Sequence, residues 1–413
     1  MKRLSYILIF ALSLLATSCL IEEKEVFDKT PAERMDAFLA EYKTLLESSE
    51  NGWLFEYYPQ KDQNYGGYNY ILKFKDGYVT AWLELAAKEE TSTYKMTPDD
   101  GPVLSFDTYN ANLHFFAEAT PDMYQGLQGD YEYNLLGKSE DGTEIYVKGR
   151  KSGNILTLRK FEGADPVAYF AACNQIYESF AAAKYDMTVD GTPTLSCSLA
   201  NMRLEFATET KPATEIAPAE VASVSVAYCY TDTGIRFYES IEVNGVVYEG
   251  LVYQNDSLVS EDGKLVIVKG KLVIEDLIGS YTFTAVDATS SSGSKVSGKM
   301  VLELSDNPEK GNLMFTTMFD TKCQANVYAV FDAEKGTLTV ASPQIYGASA
   351  QYLYGFVHLT AQAKPTTEPV VFTANVGEFG GFNGFIGDCA FNPANGAYLG
   401  YFSVFANLTA KRD

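Results

Sequence analysis

The chain has 413 residues, and 46% of them are hydrophobic, which is enough to build several cores and excludes a disordered protein. Aspartate and glutamate number 54 against 32 lysines and arginines, so the formal net charge is −22. Because so acidic a surface repels phosphate backbones, we exclude nucleic acid as a partner. The 2 histidines leave little for metal sites or histidine-based catalysis. We expect neither a metal ion nor a cofactor.

Residues 1–18 have the pattern of a secretory signal peptide. Lys2 and Arg3 form the positive start, residues 4–15 are an apolar run too short to span a bilayer, and small residues precede Cys19. This ending resembles a bacterial lipobox, in which the cysteine is acylated and begins the mature chain, although Ala16 replaces the usual leucine. The alternative is an ordinary signal peptide with an incidental cysteine. We expect Cys19 to carry the lipid and residues 19–30 to form an acidic tether.

The residues after Cys19 bear on the location of the protein. Glu22, Glu23 and Glu25 make the tether acidic, which is similar to the surface-export signal of lipoproteins in Gram-negative gut anaerobes. The alternative is a solvated spacer. We therefore expect a lipid anchor in the outer membrane, with display on the cell surface favoured over the periplasmic side. Acyl chains contribute about 0.8 kcal/mol per buried methylene, so several chains anchor a protein almost permanently.

Two helices are predicted, each with a cap residue followed by proline. Thr30 and Pro31 begin the first, and Glu33 completes a capping box. Apolar residues then recur every three to four positions until Gly52 ends the pattern. Asp165-Pro166 begins the second helix in the same way.

Elsewhere the hydrophobic period falls to two, which is typical of antiparallel strands. A hairpin with Asp76-Gly77 at its tip is predicted over residues 68–85. Further strands are predicted at 103–106, 112–116, 130–136, 143–149, 154–161, 202–206, 223–230, 235–238 and 246–253. Both halves thus contain a helix followed by a meander. A loose likeness between the segments starting at Gly101 and Gly234 predicts that 31–161 and 165–265 are repeats.

Residues 276–413 contain many short strands at regular spacing and no helix signal, which predicts an all-β barrel or sandwich. The predicted fold class is therefore mainly β with a minor α part. An antiparallel β-meander domain with two helices, over 31–265, precedes a barrel-like C-terminal domain.

Several short runs follow one another in a characteristic order. They are Glu25-Val-Phe-Asp28, Pro31-Ala-Glu-Arg34, Glu50-Asn-Gly-Trp53, Tyr57-Tyr-Pro59, Gly66-Gly-Tyr68, Leu72-Lys-Phe74, Gly101-Pro-Val-Leu-Ser-Phe-Asp-Thr-Tyr-Asn-Ala-Asn-Leu-His114, Gly129-Asp-Tyr-Glu-Tyr133, Lys148-Gly-Arg-Lys-Ser-Gly-Asn154 and Tyr230-Thr-Asp-Thr-Gly-Ile235. Together they resemble an uncharacterised family of lipoproteins, a domain of unknown function, from gut-type Gram-negative bacteria. The resemblance covers residues 19–265 and carries no catalytic signature. It implies association with starch-utilisation-like outer-membrane systems.

No known catalytic motif occurs in the sequence. His114, predicted to lie in a strand, and His358 are better explained as hydrogen-bonded structural residues, and Asp99-Asp100 stands in an ordinary turn. A glycosidase needs only two suitably spaced carboxylates, so a cryptic hydrolase stays open. The five cysteines after Cys19 are an odd number, so at least one stays unpaired in a monomer, and most are expected to be buried.

An aromatic stretch around the first hairpin is the best binding candidate. Sugars stack on flat aromatic faces, while amides and carboxylates take their hydroxyl groups. The candidate ligand-binding residues are Tyr57, Tyr58, Tyr65, Tyr68 and Tyr70. Strand alternation places Tyr68 and Tyr70 on one face. Alternatively, these tyrosines pack the hairpin against the first helix.

The leading hypothesis is a non-catalytic lipoprotein that binds a glycan or another macromolecule at the outer membrane. The second is a structural or partner-binding component of a surface complex, and the third is a carboxylate-dependent hydrolase. The expected partners are the membrane, through the lipid, and a polysaccharide or an outer-membrane protein.

Overall fold

The computed structural model describes residues 30–121, 123–211, 220–289, 293–317 and 326–413. The expected signal peptide, Cys19, the tether before Thr30, and Cys323 lie outside these residues. The structure is 50% strand and 12% helix, with antiparallel sheets, which confirms the predicted fold class. Within the described ranges, no helix is long and apolar enough to cross a membrane.

The chain divides into two compact units. The first comprises residues 30–57 and 70–164, and the second comprises residues 58–69 and 165–413. The second unit thus groups the predicted repeat at 165–265 with the C-terminal domain.

The helices are α1 (Pro31–Glu47), α2 (Ala111–His114) and α3 (Pro166–Phe180). The strands before α3 are β1 (Trp53–Tyr57), β2 (Tyr68–Lys75), β3 (Tyr78–Leu83), β4 (Glu90–Thr93), β5 (Lys95–Thr97), β6 (Val103–Ser105), β7 (Glu132–Lys138), β8 (Glu144–Gly149) and β9 (Ile155–Lys160). The next strands are β10 (Tyr185–Val189), β11 (Thr192–Pro193), β12 (Ser196–Ser198), β13 (Arg203–Lys211), β14 (Glu220–Tyr230), β15 (Gly234–Val243), β16 (Val246–Gln254), β17 (Ser257–Val259) and β18 (Leu265–Lys269).

The C-terminal strands are β19 (Gly279–Asp287), β20 (Lys295–Leu304), β21 (Leu313–Thr317), β22 (Val327–Asp332), β23 (Thr337–Val340), β24 (Gln344–Ala348), β25 (Leu353–Leu359), β26 (Val370–Asn375), β27 (Glu378–Gly380), β28 (Phe385–Phe391) and β29 (Tyr398–Arg412).

Local chemistry explains where the long helices begin. The Glu33 N–H donates to Thr30 Oγ1 at 3.3 Å, and the Glu33 carboxylate accepts from the Thr30 N–H at 2.8 Å. Asp165 Oδ1 accepts from the Val167 N–H at 2.9 Å. Both predicted starts are confirmed.

The strand predicted at 112–116 is wrong, because these residues lie in and just after α2. The Asn110 side chain accepts from the N–H groups of Asn112 and Leu113, both at 3.1 Å, and so caps a helical turn. The apolar residues in and after this turn have a pattern that also fits a strand, which explains the wrong prediction.

The first sheet closes on itself. Its order is β4-β3-β2-β1-β9-β8-β7-β6-β5, and its two end strands are separated in sequence only by Tyr94. Residues 90–97 therefore pair with β3 through their first part and with β6 through their last. Counting β4 and β5 as one strand, the described residues form an antiparallel ring of eight.

The second sheet repeats this connectivity. Its order is β11-β10-β18-β17-β16-β15-β14-β13-β12, and residues 194 and 195 join its end strands. The loosely similar segments at Gly101 and Gly234 lead into or begin β6 and β15, which are the fifth strands of their rings. A duplication stays a prediction, but the shared topology is observed.

The C-terminal sheet forms a closed barrel, because β19 pairs with β20 and with β29. Strands β24, β25 and β28 extend it on the other side of β29. A Cβ on Gly380 would lie 2.9 Å from Thr409, and Gly381 has a φ of +75°. The glycine-aromatic run therefore makes the corner between β27 and β28. Tyr281, Phe315, Phe372 and other buried side chains fill the interior.

The two ends of the first ring are covered differently. At one end, Glu47 of α1 accepts from the Gly77 N–H in the β2–β3 turn at 3.1 Å and from the Tyr94 hydroxyl at 2.8 Å. At the other end, residues 106–131 connect β6 to β7 in sequence. Buried aromatic side chains such as Phe55 and Phe74 lie between. Rings of eight strands have interiors that side chains can fill.

We expect Trp53→Phe to lower the free energy of unfolding of the first unit by about 1–3 kcal/mol. Trp53 is fully buried, and its Nε1 donates to the Leu46 carbonyl oxygen at 2.8 Å, so phenylalanine leaves that oxygen without this bond. Urea unfolding followed by tryptophan fluorescence measures the effect, because both tryptophans of the chain lie in this unit. The half-buried Trp82→Phe is the control. If Trp53→Phe and Trp82→Phe lowered the free energy of unfolding equally, the hydrogen bond from Trp53 to Leu46 would not be the stabilising contact.

Candidate functional site

The structure buries most of the tyrosines that the sequence nominates for ligand contact. Tyr57, Tyr58 and Tyr70 are 2%, 3% and 2% exposed, whereas Tyr65 and Tyr68 are half-buried. A sugar needs an exposed aromatic face, so the three buried rings offer none. Tyr58 packs within the second unit against Tyr238, with ring centroids 4.8 Å apart.

Tyr57 and Tyr70 instead hold the segment at the end of the first ring. The Asp130 N–H donates to Tyr57 Oη at 2.6 Å, and the Tyr70 hydroxyl donates to the Asn112 carbonyl oxygen at 2.8 Å. The hydroxyl of Tyr133 donates to the Asp130 carbonyl oxygen at 2.7 Å. Burial raises the pKa of all three tyrosines above the usual value, so they stay neutral at physiological pH.

We call residues 107–121 and 123–131 the cap. Its Asn110 is fully buried and donates to the Glu90 carbonyl oxygen at 3.2 Å. Its Asn112 donates through Nδ2 to the carbonyl oxygens of Ala81 at 2.9 Å and Lys88 at 3.0 Å. These bonds attach the cap to β3, to the segment between β3 and β4, and to the start of β4.

The last turn of the cap depends on a buried carboxylate. Asp130 is 4% exposed, and its Oδ1 accepts from the N–H groups of Lys151 and Ser152 in the β8–β9 turn. A Cβ on Gly149 would lie 2.4 Å from Asp130 Oδ2, and one on Gly129 would lie 2.6 Å from Phe116 Cβ. Only glycine fits at either position without displacement. This explains two of the glycines in the ordered motif set.

We expect Gly129→Ala to lower the free energy of unfolding by about 1–3 kcal/mol, because the added methyl overlaps Phe116 and the Tyr57 hydroxyl. Gly137→Ala is the matched control, since a Cβ there meets no atom within 4 Å. Thermal unfolding compares the two variants, and limited proteolysis shows whether the cap has loosened. A Gly129→Ala protein as stable as Gly137→Ala would refute the tight fit.

The outer surface of the cap carries a stack of three rings. The Tyr109 ring lies on His114 with centroids 5.5 Å apart and planes 26° apart, and His114 lies against Tyr131 at 4.9 Å and 31°. Tyr109 is 62% exposed and Tyr131 is 40% exposed. Phe115 and Tyr124 add further exposed aromatic surface.

Polar groups border this stack. The Tyr109 hydroxyl donates to Glu118 Oε1 at 2.6 Å, and this bond is the main reason that the pKa of Tyr109 is raised. His114 Nδ1 lies 3.0 Å from the Asn110 carbonyl oxygen, which fixes the ring in the stack. The arrangement combines flat aromatic faces with a hydrogen-bond acceptor, which is the chemistry that a sugar requires.

Sequence reasoning missed Tyr109, Phe115, Tyr124 and Tyr131 as site residues. The predicted strand at 112–116 concealed that they belong to one long connection. The available signal was the length of the segment between β6 and β7, because connections longer than 12–15 residues are commonly functional.

Metal-binding clusters, buried carboxylates and buried thiols are the features of the described residues that could support catalysis. No group of three or more histidine, cysteine, aspartate or glutamate side chains suits a metal ion within these ranges. Burial raises the pKa of the Asp388 carboxyl, and the hydrogen bond from the Tyr346 hydroxyl acts in the opposite direction. Burial also raises the pKa of Cys197 and Cys389 to about 12, so these thiols are poor nucleophiles.

An open cleft of about 520 Å³ lies between the end of the second ring and the C-terminal barrel. Lys269, Lys271 and Lys335 line it. Lys271 lies 3.8 Å from Glu334, and Lys335 lies 2.8 Å from Asp332, so nearby carboxylates balance these charges. The cleft is therefore a weaker candidate for a ligand-binding site than the cap.

The family model described as a domain of unknown function (DUF4302) matches residues 23–255, which is more than half of the chain. No curated protein matches the chain.

Proposed function

The chain belongs to the family of the domain of unknown function DUF4302, and from this premise we propose that it is a lipid-anchored, non-catalytic accessory protein that binds glycan at the cap. The stack of Tyr109, His114 and Tyr131 carries the proposal. It presents exposed aromatic faces on a segment whose backbone is held from beneath. Because such a surface is ordered before binding, little conformational entropy is lost when a ligand arrives.

The sequence supports the location. Cys19 follows a signal-peptide pattern and precedes an acidic tether, which favours an acylated protein at the outer membrane, displayed on the cell surface. In that position the cap would meet polysaccharides outside the cell. An association with importer systems of the starch-utilisation kind belongs to the same proposal.

We expect Tyr109→Ala to weaken glycan retention about three- to tenfold, because one stacking face is lost. Affinity electrophoresis of the full-length protein in detergent, against plant, host and microbial polysaccharides, measures retention. Tyr78→Ala is the matched control, since Tyr78 is 54% exposed but lies in the β2–β3 hairpin near α1. Failure of every polysaccharide to retain the protein would refute the proposal.

We expect Cys19→Ala to release the protein from membranes and to abolish incorporation of radiolabelled palmitate. Cys197→Ala, which alters a half-buried thiol in β12, should remain labelled and membrane-bound. A Cys19→Ala protein that still partitions with membranes would overturn the anchor.

A protein partner is the second candidate, and the apolar side chains on the cap favour it. Phe115 is 44% exposed and Met123 is 40% exposed, and exposed apolar surface commonly marks protein interaction sites. A stoichiometric outer-membrane protein crosslinked through the cap would favour this function over glycan binding.

A further inference from the structure

Acidic side chains dominate the charge of the cap. Its sequence range, residues 107–131, contains the acidic residues Asp107, Glu118, Asp122 and Asp130 and no lysine or arginine. Asp130 is buried and bonded to backbone N–H groups, so it does not act at the surface. Glu118 is exposed and lies beside the aromatic stack, with its Oε1 2.6 Å from the Tyr109 hydroxyl.

A second carboxylate, that of Glu90, also influences the Tyr109 side chain. Glu90 adds, through its charge, a smaller contribution to the raised pKa of Tyr109 than the hydrogen bond to Glu118 does. Glu90 Oε2 accepts from the Ala111 N–H at the start of α2, which fixes its position. The cap thus holds one carboxylate at the Tyr109 hydroxyl and a second at the N–H of Ala111, two residues further along the chain.

Two cations near the cap are opposed by carboxylates. Lys95 lies 2.5 Å from Asp107, and Arg150 lies 3.9 Å from Glu132. Lys88, whose carbonyl oxygen accepts from the cap, is followed in sequence by Glu89 and Glu90, so this segment carries more negative than positive charge. Lys151, whose N–H donates to Asp130, is an exposed cation beside the last turn of the cap. A bound anion would therefore meet an excess of negative charge, in a chain whose net charge is −22.

We infer, on the basis of the proposed function, that the cap binds uncharged polysaccharides and discriminates against those carrying uronate, sulfate or phosphate groups. Carboxylates accept hydrogen bonds from sugar hydroxyls, so Glu118 and Glu90 assist a neutral chain. The same groups repel an anionic chain, because like charges within the Debye length of about 8 Å at physiological ionic strength are incompletely screened.

Paired polysaccharides test this selection. Amylose, mannan and galactan are each presented to the full-length protein in native form and after oxidation of the primary hydroxyl to a carboxylate. At low ionic strength we expect the native member of a retained pair to bind about tenfold more tightly. Added salt should narrow the difference, and so should Glu118→Gln. Glu140→Gln, at an exposed position between β7 and β8, is the matched control and should not.

The outcomes separate the two proposals. The oxidised polysaccharides could bind as tightly as the native ones or more tightly, and Tyr109→Ala could abolish that binding. This result would overturn the charge selection and leave glycan binding at the cap in place. A difference that Glu118→Gln leaves unchanged also overturns the selection. Absence of retention for both members of every pair overturns the proposed function and the selection together.

Discussion

Tyrosine hydroxyls enclosed in the first ring need hydrogen-bond partners, since a buried unpaired polar group costs about 1–3 kcal/mol. Tyr57, Tyr70 and Tyr133 find them in the backbone of the cap, at Asp130 and Asn112. The cap in turn depends on these hydroxyls for its position. Its tight seating excludes any side chain at residue 129. The same hydrogen bonds support the exposed aromatic side chains of the proposed site from beneath.

The second ring shows that the cap is not required for closure. The fifth and sixth strands of that ring, β15 and β16, are joined by Asn244-Gly245 alone, both with positive φ. The equivalent connection in the first ring is residues 106–131. Ring closure removes exposed strand edges in both cases. The long connection is therefore not needed for closure, and long ordered connections on rigid scaffolds commonly carry function.

The tyrosines around the first hairpin illustrate why aromatic composition alone does not locate a binding site. Aromatic composition identified a region rich in tyrosine and phenylalanine. Composition does not distinguish an aromatic side chain in a core from one in a binding site. Tyr57 and Tyr70 lie inside the first ring, while Tyr109 and Tyr131 lie outside. The buried pair contributes to the candidate site indirectly, by holding the cap on which the exposed pair stands.

Local signals in the sequence determined the mainly β class, α1, α3 and most strands, because helix caps, the Asp76-Gly77 turn and period-two alternation act over a few residues. They could not determine that β1 pairs with β9, since that contact joins distant segments. Closure of the strand ring decided which tyrosines are buried, and the folding of the cap brought the side chains of Tyr109 and Tyr131 against His114. Burial and long-range contact are properties of the tertiary structure, and the candidate site depends on both.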